Sequence, residues 1–287
     1  MNNYKFSIII VSWNVATYLD QCLASLFKYC YFDYEIIVID NNSSDQTVAL
    51  IKEKYPTVKL IVNEVNQGFA QANNQGVDQS TGDFLLFLNP DTELIDNSLE
   101  KAITYLTNHQ HLGMLGVNIL NSDQTNQISV RKFPSLYSQL ITLLKLNNIF
   151  PSLNQEYFQK DFDYHKTQQV ESIIGACMLI KRTVYQAIGR LDNDYFIWFE
   201  EVDLCRRLNQ KNFPVYYFAE TKIIHHGKQS FKQIMTLSRQ ALFNRSMLIY
   251  FKKHQPWWQF MILVILLPLN YLLTFIQQIL NIQKRDY

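Results

Sequence analysis

Short apolar segments alternate with helical patterns along the first part of the chain. Four segments have the length of strands, are rich in apolar and β-branched side chains and end in polar turns: Phe6–Val11, Tyr34–Ile39, Val58–Val62 and Phe84–Leu88. Helical patterns follow the first three of them: Tyr18–Phe27, Gln46–Tyr55 and Phe69–Gln79. Because the strand segments do not alternate with polar residues, we expect helices on both faces of a parallel sheet. The order predicts an α/β fold whose first half is doubly wound, with right-handed crossovers.

Polar side chains cluster directly after three of these predicted strands. The clusters are Ser12–Asn14, Asp40–Asp45 and Asn89–Thr92. Each cluster alone has a structural explanation, because Asn, Asp and Ser are common in turns and helix caps. Ligands of doubly wound sheets, however, bind beyond the carboxyl ends of the strands. We therefore predict that the three clusters share one ligand site.

The second half of the chain has a less regular pattern. Leu112–Leu120 and Ser172–Lys181 are predicted strands. Between them lies a long segment, Asn121–Val170, which is rich in Asn, Gln and Ser and contains an apolar piece, Leu136–Phe150. We interpret it as an elaborated loop with a helix, which is typical of an insertion that faces a substrate.

The C-terminal segment Trp257–Leu280 is the most apolar part of the chain. About two dozen residues at roughly 1.5 Å each reach roughly 36 Å, enough to span a bilayer. Pro268 interrupts it, and beyond that proline one helical face is polar and the other is leucine-rich. The polar face carries Asn270, Thr274, Gln277 and Asn281, and the apolar face carries Leu269, Leu272, Leu273, Ile276 and Leu280.

Basic and aromatic residues flank this amphipathic tail. They are Lys252, Lys253, Trp257, Trp258, Lys284 and Arg285. Together with the polar face, they favour a helix that lies in an anionic membrane surface, with its polar groups in water. A helix that spans the membrane and one that docks on the rest of the protein are the alternatives.

Composition limits the kind of partner and the compartment. The chain has 287 residues, of which 48% are hydrophobic, and a formal net charge of +1, so no global field attracts nucleic acid. Its four cysteines form no C-x-x-C pair, which favours a reducing compartment. Phe6–Val11 is too short for the apolar region of a signal peptide. We therefore expect a cytoplasmic protein.

Two common nucleotide-binding signatures are missing from the sequence. It contains neither G-x-G-x-x-G nor G-K-[ST], which disfavours dinucleotide oxidoreductases and P-loop NTPases. Acidic residues at strand ends instead indicate a nucleotide bridged by a metal ion. Mg²⁺ and Mn²⁺ prefer oxygen ligands, and Asp91 is placed to supply one.

Seven segments, in order, carry a resemblance to a known family. They are Ser7–Asn14, Asp40–Asp45, Asn66–Gly76, Leu86–Thr92, Gly175–Arg182, Phe196–Leu204 and His225–Ser230. In these segments the chain resembles the family 2 glycosyltransferases, and more narrowly their bacterial rhamnosyltransferase-like branch. The resemblance implies a GT-A fold with a Rossmann-like half and a mixed central sheet. It implies a catalytic domain over residues 1–255, divided into a nucleotide-sugar half (1–92) and an acceptor half (93–255), followed by a membrane-associated tail (256–287).

The resemblance also implies roles for individual residues. Asp40 would accept a hydrogen bond from a pyrimidine base, and Asp91 would bind Mg²⁺ or Mn²⁺ together with His225, although a surface pair is the alternative for His225 and His226. The residues implied to bind the nucleotide-sugar are Ser12, Asn14, Asp40, Asn42, Asn73, Asn89 and Asp91. Those implied to line the acceptor or donor-sugar pocket are Gly175, Ala176, Trp198 and Asp203. Asn73 and Asn74 would pack the nucleotide-binding loop, and Gly68 and Gly76 would permit close backbone approach.

The acidic pair Glu200–Glu201 stands where relatives carry Glu-Asp. An inverting transfer needs one general base within hydrogen-bond reach of the acceptor hydroxyl. Glu201 takes the position of the family's Asp with one extra methylene, and Glu200 is the alternative base. We expect Asp203 and Arg206 to form an i,i+3 pair on the following helix, Val202–Gln210.

The expected activity follows from this resemblance. The chain would move a sugar from dTDP-rhamnose or a UDP-hexose to a hydroxyl of a glycan or polyprenyl-linked acceptor during polysaccharide biosynthesis. The element Arg131–Pro134 (RKFP) favours rhamnose. The enzyme would lie on the inner face of the cell membrane, bound through its tail. A catalytically inactive sugar-nucleotide-binding subunit and a nucleotidyltransferase are the alternatives.

Overall fold

A computed structural model of the chain describes residues 4–227 and 236–280. The first half contains β1 (Phe6–Ser12), α1 (Ala16–Tyr29), β2 (Tyr34–Asp40), α2 (Thr47–Lys54), β3 (Lys59–Val62), α3 (Phe69–Asp78), β4 (Phe84–Leu88) and β5 (Thr92–Leu94). The second half contains α4 (Leu99–Asn108), β6 (Met114–Leu120), β7 (Val130–Arg131), α5 (Leu136–Leu143), β8 (Gln168–Val170), β9 (Ser172–Ile173), β10 (Cys177–Lys181), α6 (Arg182–Ala187), α7 (Glu200–Gln210), β11 (Val215–His225), α8 (Thr236–His254) and α9 (Trp257–Ile279). Every strand and helix predicted in the first half is present.

The central sheet is mixed. Its strands run in the order β3-β2-β1-β4-β10-β6-β11-β5, and β8 pairs with β11. The first four strands are parallel, as predicted for the doubly wound half, and β10 joins β4 in antiparallel orientation. The carboxyl ends of β1, β2 and β4 therefore lie at one edge, where Asp40 and Asn89 are found.

Alternate residues of β1 enter two different cores. Ile8 and Ile10 pack with α1 and α2 on one face of the sheet, whereas Ile9 and Val11 pack with α3 on the other. The four side chains are at most 9% exposed. A strand covered on both faces must be apolar throughout, which explains the continuous pattern of Phe6–Val11.

The predicted strand Ser172–Lys181 is two strands. β9 pairs with β7 in a separate small sheet, while β10 enters the central sheet between β4 and β6. Residues 174–176 leave the strand conformation between them. The break places Gly175 and Ala176 beside the turn after β4, where the Asn89 N–H donates to the Ala176 carbonyl (3.0 Å).

Only the first part of the apolar piece Leu136–Phe150 forms an α-helix. α5 ends at Leu143, and two turns of 3₁₀-helix follow, Leu146–Asn148 and Pro151–Asn154. Ser135 begins α5 with a capping box, its hydroxyl accepting from the Ser138 N–H. The predicted helix-containing insertion is confirmed.

The tail forms one helix, α9, which continues through Pro268. Our expectation that its polar face stays in water is wrong. Asn270 and Thr274 are fully buried. The buried Asn270 amide is satisfied by protein partners, since it donates to the Leu143 carbonyl (2.7 Å) and accepts from Asn244 of α8 (2.8 Å). Polar groups can dock against the protein when such partners satisfy them, so α9 packs on α5 and α8 through its polar side.

The opposite side of α9 is an exposed apolar stripe. It consists of Trp257, Trp258, Met261, Ile265, Leu269, Leu272, Ile276 and Ile279, which are 40% to 77% exposed. By length and composition α9 could cross a membrane, since its 23 residues have a mean hydropathy of 2.1 over the most apolar window. Of the flanking cations, Lys253 is held by Asp192 and Asp194. Asn281, Lys284 and Arg285 lie outside the described residues.

Candidate active site

The carboxyl ends of β1 and β2 form a polar pocket around Asp40. This residue is 1% exposed; its Oδ2 accepts from the Ser43 N–H (3.0 Å), while its Oδ1 is buried without a hydrogen-bond partner. Asn14 joins the two loops, because its N–H donates to the Ser43 hydroxyl and its side-chain oxygen accepts from the Ser44 N–H. The Ser12 hydroxyl is also buried and unpaired. An unpaired buried acceptor suits a ligand N–H, such as that of a pyrimidine ring.

Both Asn14 and Asn42 adopt left-handed backbone conformations, with φ of 53° and 68°. Asn tolerates this region better than most residues, which explains its use in these tight loops. Asn42, predicted to bind nucleotide, thus has a clear backbone role beside Asp40. The side chain that organises the neighbouring loop is Asn41, which donates to Asn66 (2.8 Å) and accepts from the Gln67 N–H (3.0 Å).

Two glycines permit close backbone contacts, as expected. Gly68 has φ of 81°, and a Cβ there would lie 2.4 Å from the Phe196 carbonyl oxygen. At Gly76 in α3, a Cβ would lie within 2.7 Å of both Ile9 and Ile39. The first glycine lets the loop after β3 reach the segment before α7, and the second lets α3 pack closely on the sheet.

The asparagines of α3 support the structure from within. Asn73 donates back to the Phe69 carbonyl of its own helix (2.9 Å). Asn74 donates to the Leu191 carbonyl (2.7 Å) and accepts from the Tyr185 hydroxyl (2.6 Å). Asn74 therefore anchors the loop after α6, and neither side chain has a hydrogen bond to the loop that surrounds Asp40.

The turn after β4 and the end of β11 bring the two predicted metal ligands together. His225 Nε2 lies 3.2 Å from Asp91 Oδ1 and 3.3 Å from the Asn89 side-chain nitrogen. Both side chains are largely buried, so His225 is not half of a surface pair. Two ligands of an octahedral ion at about 2.1 Å would stand about 3.0 Å apart, so the pair fits one cation.

A cation at this point would have a small protein ligand set. Within residues 4–227 and 236–280, no group of three or more His, Cys, Asp or Glu side chains is arranged to hold a metal ion. Asp91 and His225 would hold such an ion with two protein ligands, and substrate phosphates and water would supply the others, which is common for Mg²⁺. An imidazole ligand favours Mn²⁺ over Mg²⁺.

The acidic pair lies in the first turn of α7, close to this turn. Gly175 lies beside Glu201. A Cβ built at Gly175 would stand 3.8 Å from Glu201 Cβ and 3.7 Å from the Phe69 ring. Its neighbour Ala176 accepts from the Asn89 N–H (3.0 Å). The break between β9 and β10 thus lies between the turn after β4 and the carboxylates of α7, and Gly175 leaves space beside Glu201.

The backbone before α7 is strained. Trp198 and Phe199 both have left-handed φ values, 65° and 69°. Such conformations cost of the order of 1–3 kcal/mol each and are concentrated at active sites. Packing of both rings against Phe243 of α8 holds the segment and fixes where α7 begins.

Burial perturbs both carboxyls of the acidic pair. Removal from water raises the pKa of Glu200 well above its ordinary value, and the charge of Glu201 raises it further. Burial also raises the pKa of Glu201, but backbone hydrogen bonds and the nearby charge of Arg131 oppose the increase. Of the two carboxyls, Glu200 thus has the pKa that is raised further, and Glu201 is the one that ionises more readily.

Asp203 does not line the predicted sugar pocket. It is 1% exposed and its carboxylate is engaged within the protein, accepting from His254 (2.6 Å) and from Arg207 (2.7 Å). The expected pair with Arg206 is also wrong, because Arg207 at i+4 makes the ion pair and Arg206 stacks over the Phe133 ring. Although burial raises the pKa of Asp203, His254 and Arg207 hold it below its ordinary value. Asp203 thus ties α7 to the end of α8.

Sequence reasoning missed three residues that the fold brings to this site. Gln127 accepts from or donates to His225 Nδ1 at 2.7 Å, and Tyr157 lies near Arg131 and Glu201. Arg131 was noted only as part of the RKFP element. No local pattern marks these contacts, because the partners are far apart along the chain.

Comparison with known proteins identifies the family of the chain. Residues 7–189 match the model of the glycosyl transferase family 2, which is most of the chain. The chain is 24% identical over 269 residues to an N-acetylglucosaminyl-diphospho-decaprenol L-rhamnosyltransferase of Mycobacterium tuberculosis, covering 88% of this chain and 86% of the relative. It is 25% identical over 226 residues to the low-salt glycan biosynthesis hexosyltransferase Agl10 of Haloferax volcanii, covering 77% and 66%.

Solved structures share the fold. The mannosyltransferase PcManGT of Pyrobaculum calidifontis, in complex with GDP-Man and Mn²⁺, superposes with a TM-score of 0.58 at 14% identity, over 96% of this chain and 74% of its own. GalNAc-T7 with UDP, GalNAc and Mn²⁺ superposes with a TM-score of 0.60 at 17% identity, over 78% and 44%.

The fold and the site define a nucleotide-sugar-dependent glycosyltransferase with a GT-A fold. The chain belongs to the glycosyl transferase family 2, and its rhamnosyltransferase-like character is supported by relatives that align over most of its length. It is an enzyme of glycan biosynthesis, which sets aside the inactive-subunit and nucleotidyltransferase alternatives.

Proposed function

We propose that this enzyme transfers a sugar, with inversion, from dTDP-rhamnose or a UDP-hexose to a hydroxyl of a polyprenyl-linked glycan. One observation carries the proposal: the Asp91–His225 pair and Glu201 lie on either side of the Gly175–Ala176 backbone. A diphosphate held at the pair would place its sugar toward Glu201. The relative that acts on a diphospho-decaprenol substrate supports the acceptor class. Residues 1–92 would serve the nucleotide-sugar and 93–255 the acceptor.

The residues divide the chemistry among them. Asp40 would accept from the pyrimidine, with Asn14 holding the surrounding loops. A divalent ion on Asp91 and His225 would neutralise the charge that develops on the departing diphosphate. Glu201 would take the proton from the acceptor hydroxyl as that oxygen attacks the anomeric carbon from the opposite face.

A panel of sugar nucleotides tests the donor. We expect dTDP-rhamnose or a UDP-hexose, with Mn²⁺, to raise the melting temperature, since a ligand at 100 times its Kd stabilises by about 2.7 kcal/mol. The same donor should be turned over with a polyprenyl-diphosphate-linked sugar as acceptor, and NMR of the product should show an inverted anomeric centre. Stabilisation only by purine sugar nucleotides, or a retained anomer, would contradict the proposal.

The rate should depend on pH through Glu201. Its carboxyl is faced by Glu200, Arg131 and Tyr157, and its pKa is raised by burial. The base works only when ionised, so kcat/KM should fall as the pH drops through that pKa, which lies above the ordinary value of about 4.3 for Glu. Because Arg131 lowers this pKa, Arg131→Leu should move the acid limb of the profile to higher pH. If the acid limb of the kcat/KM profile stays at the same pH in Arg131→Leu, the limb reports the ionisation of a group other than Glu201.

We further propose that the apolar stripe of α9 binds the cytoplasmic membrane surface. The stripe is exposed, whereas the polar side of α9 is hydrogen-bonded to α5 and α8. A helix lying in the surface keeps these contacts and buries the stripe, while a spanning helix must break them in hydrocarbon. Surface attachment would also raise the local concentration of a lipid-linked acceptor.

Substitutions on the stripe test this proposal better than truncation, because Leu263 of α9 is fully buried in a core with Met247 and Tyr250. Ile265→Glu with Leu272→Glu should abolish cosedimentation with phosphatidylglycerol vesicles and leave sugar-nucleotide binding unchanged. Tyr31→Glu with Val62→Glu, at exposed apolar positions of the first half, should cosediment like the unchanged protein. Vesicle binding that survives the α9 substitutions would disprove the surface role.

A further inference from the structure

A β-hairpin packs against His225 on the side away from Asp91. It follows β6, and its turn is closed by backbone bonds from Asn121 N–H to the Thr125 carbonyl (2.8 Å) and from Gln127 N–H to the Ile119 carbonyl (2.8 Å). Gln127 Oε1 lies 2.7 Å from His225 Nδ1. The imidazole therefore faces an amide on one side and Asp91 on the other.

A chain of side-chain hydrogen bonds connects this contact to a carboxylate. Gln127 Nε2 lies 3.0 Å from Asn121 Oδ1, and Asn121 Nδ2 lies 2.9 Å from the Thr125 hydroxyl. That hydroxyl lies 2.6 Å from Asp123 Oδ1. Side-chain and backbone hydrogen bonds from Thr125 lower the pKa of Asp123, so the chain ends on an ionised group.

The carboxylate sets the direction of every bond in the chain. Asp123 can only accept, so Thr125 must give its single hydroxyl proton to it and can only accept from Asn121. Asn121 then presents its NH₂ to Thr125 and its oxygen to Gln127. Gln127 in turn must donate with its NH₂ to Asn121, which leaves its oxygen facing His225 Nδ1. The Gln127 NH₂ also points at the His225 backbone carbonyl (3.4 Å), which agrees with this direction.

We infer that Gln127 is a positioning residue that holds the neutral His225 ring with its proton on Nδ1. Nε2 then carries a lone pair toward Asp91 Oδ1, 3.2 Å away, with no proton between the two acceptors. A cation between them relieves their repulsion, and the Asn89 side-chain nitrogen at 3.3 Å can donate to the same lone pair in its absence. The opposite tautomer would turn two amide oxygens toward each other at Gln127 and Asn121.

This inference rests on the proposed metal role of Asp91 and His225, but the tautomer can be measured without metal. Outer groups that orient a metal-binding histidine typically change metal affinity by about 10- to 100-fold when they are removed. The test uses the full chain in detergent with ring-¹⁵N-labelled histidine, and His225→Gln identifies the His225 signals. Long-range ¹H–¹⁵N spectra report which nitrogen is protonated, and electron paramagnetic resonance titration with MnCl₂ reports affinity.

In the unchanged protein with a neutral His225 ring, the proton should reside on Nδ1. Gln127→Leu removes the acceptor, so the proton should move to Nε2 and Mn²⁺ should bind about 10- to 100-fold more weakly. Gln127→Glu keeps an acceptor at Nδ1 and gives up only the NH₂ from which Asn121 accepts, so both the tautomer and the Mn²⁺ affinity should be preserved. Gln124→Asn, an amide change at the exposed hairpin tip, is the matched control and should alter neither.

An Nε2 proton in the unchanged protein would overturn the inference, and so would a Gln127→Leu variant with unchanged tautomer and affinity. A Gln127→Glu variant that loses both would show that Gln127 acts only by holding the hairpin. If Gln127 controls the tautomer but Mn²⁺ does not bind, the orienting role stands and the proposed metal role of the pair fails.

Discussion

Asp91→Ala should abolish sugar transfer and metal-dependent nucleotide binding while the fold survives. Asp91 is the only carboxylate within contact of His225 Nε2 in the part of the chain that the structure describes, and its removal leaves the cation with one imidazole. Metal ions contribute several kcal/mol to a developing charge, and roughly 4 kcal/mol corresponds to about a 1000-fold loss of rate. We expect a loss of at least that size, measured as kcat/KM with saturating Mn²⁺.

Thermal unfolding separates this loss from misfolding. Asp91→Ala should melt close to the unchanged protein in buffer but should lose the stabilisation by donor and Mn²⁺. Asp96→Asn is the control, since Asp96 is an exposed carboxylate whose Oδ1 accepts from the Ser98 N–H, and the amide keeps that acceptor. Retained turnover in Asp91→Ala would remove Asp91 from the metal site.

Glu201→Gln should lower turnover by about 100-fold or more, the usual effect of losing a general base, with little change in donor affinity. Glu201 has a buried Oε2 without a hydrogen-bond partner and lies against Gly175, and in the proposed mechanism it takes the proton of the acceptor hydroxyl. The amide keeps the shape but cannot take a proton. Single-turnover kinetics with saturating donor would isolate this step.

Glu200→Gln is the matched comparison, because the two carboxyls are adjacent in the same helical turn. Burial and the charge of Glu201 raise the pKa of Glu200, so its neutral form resembles the amide. The Glu200 variant should therefore lose much less activity than Glu201→Gln. If Glu200→Gln has the larger effect, Glu200 is the base and our alignment of the pair to the family pattern is displaced by one residue.

The local pattern of the sequence was sufficient to place three polar clusters at one edge of the sheet. A parallel strand covered on both faces must be apolar throughout, and the polar residues that follow it in the sequence lie at the carboxyl edge of the sheet. That rule located Asp40 at the end of β2 and Asn89–Asp91 after β4. The same reasoning failed for Ser172–Lys181, since a continuous apolar segment does not reveal that a break at residues 174–176 sends its two parts into different sheets.

The tail shows a different limit. The periodicity of α9 correctly separated a polar face from an apolar one, but it could not say which face the protein covers. That depends on whether partners for the polar groups exist elsewhere, and here the Leu143 carbonyl and Asn244 supply them. From hydrophobicity alone, one would expect the protein to cover the apolar stripe of α9 and to leave its polar face exposed.

The sequence by itself determined the family, the α/β order and the candidate residues for the chemistry. Only the tertiary structure decided how those residues meet: His225 reaches Asn89 across 136 positions, and Gln127 reaches His225 across 98. It also decided that Asp203 supports α7 instead of lining a pocket. The physical reason is that periodicity records which side of an element is covered, whereas hydrogen-bond partners and the pKa of a buried carboxyl depend on neighbours that the folded chain alone brings into contact.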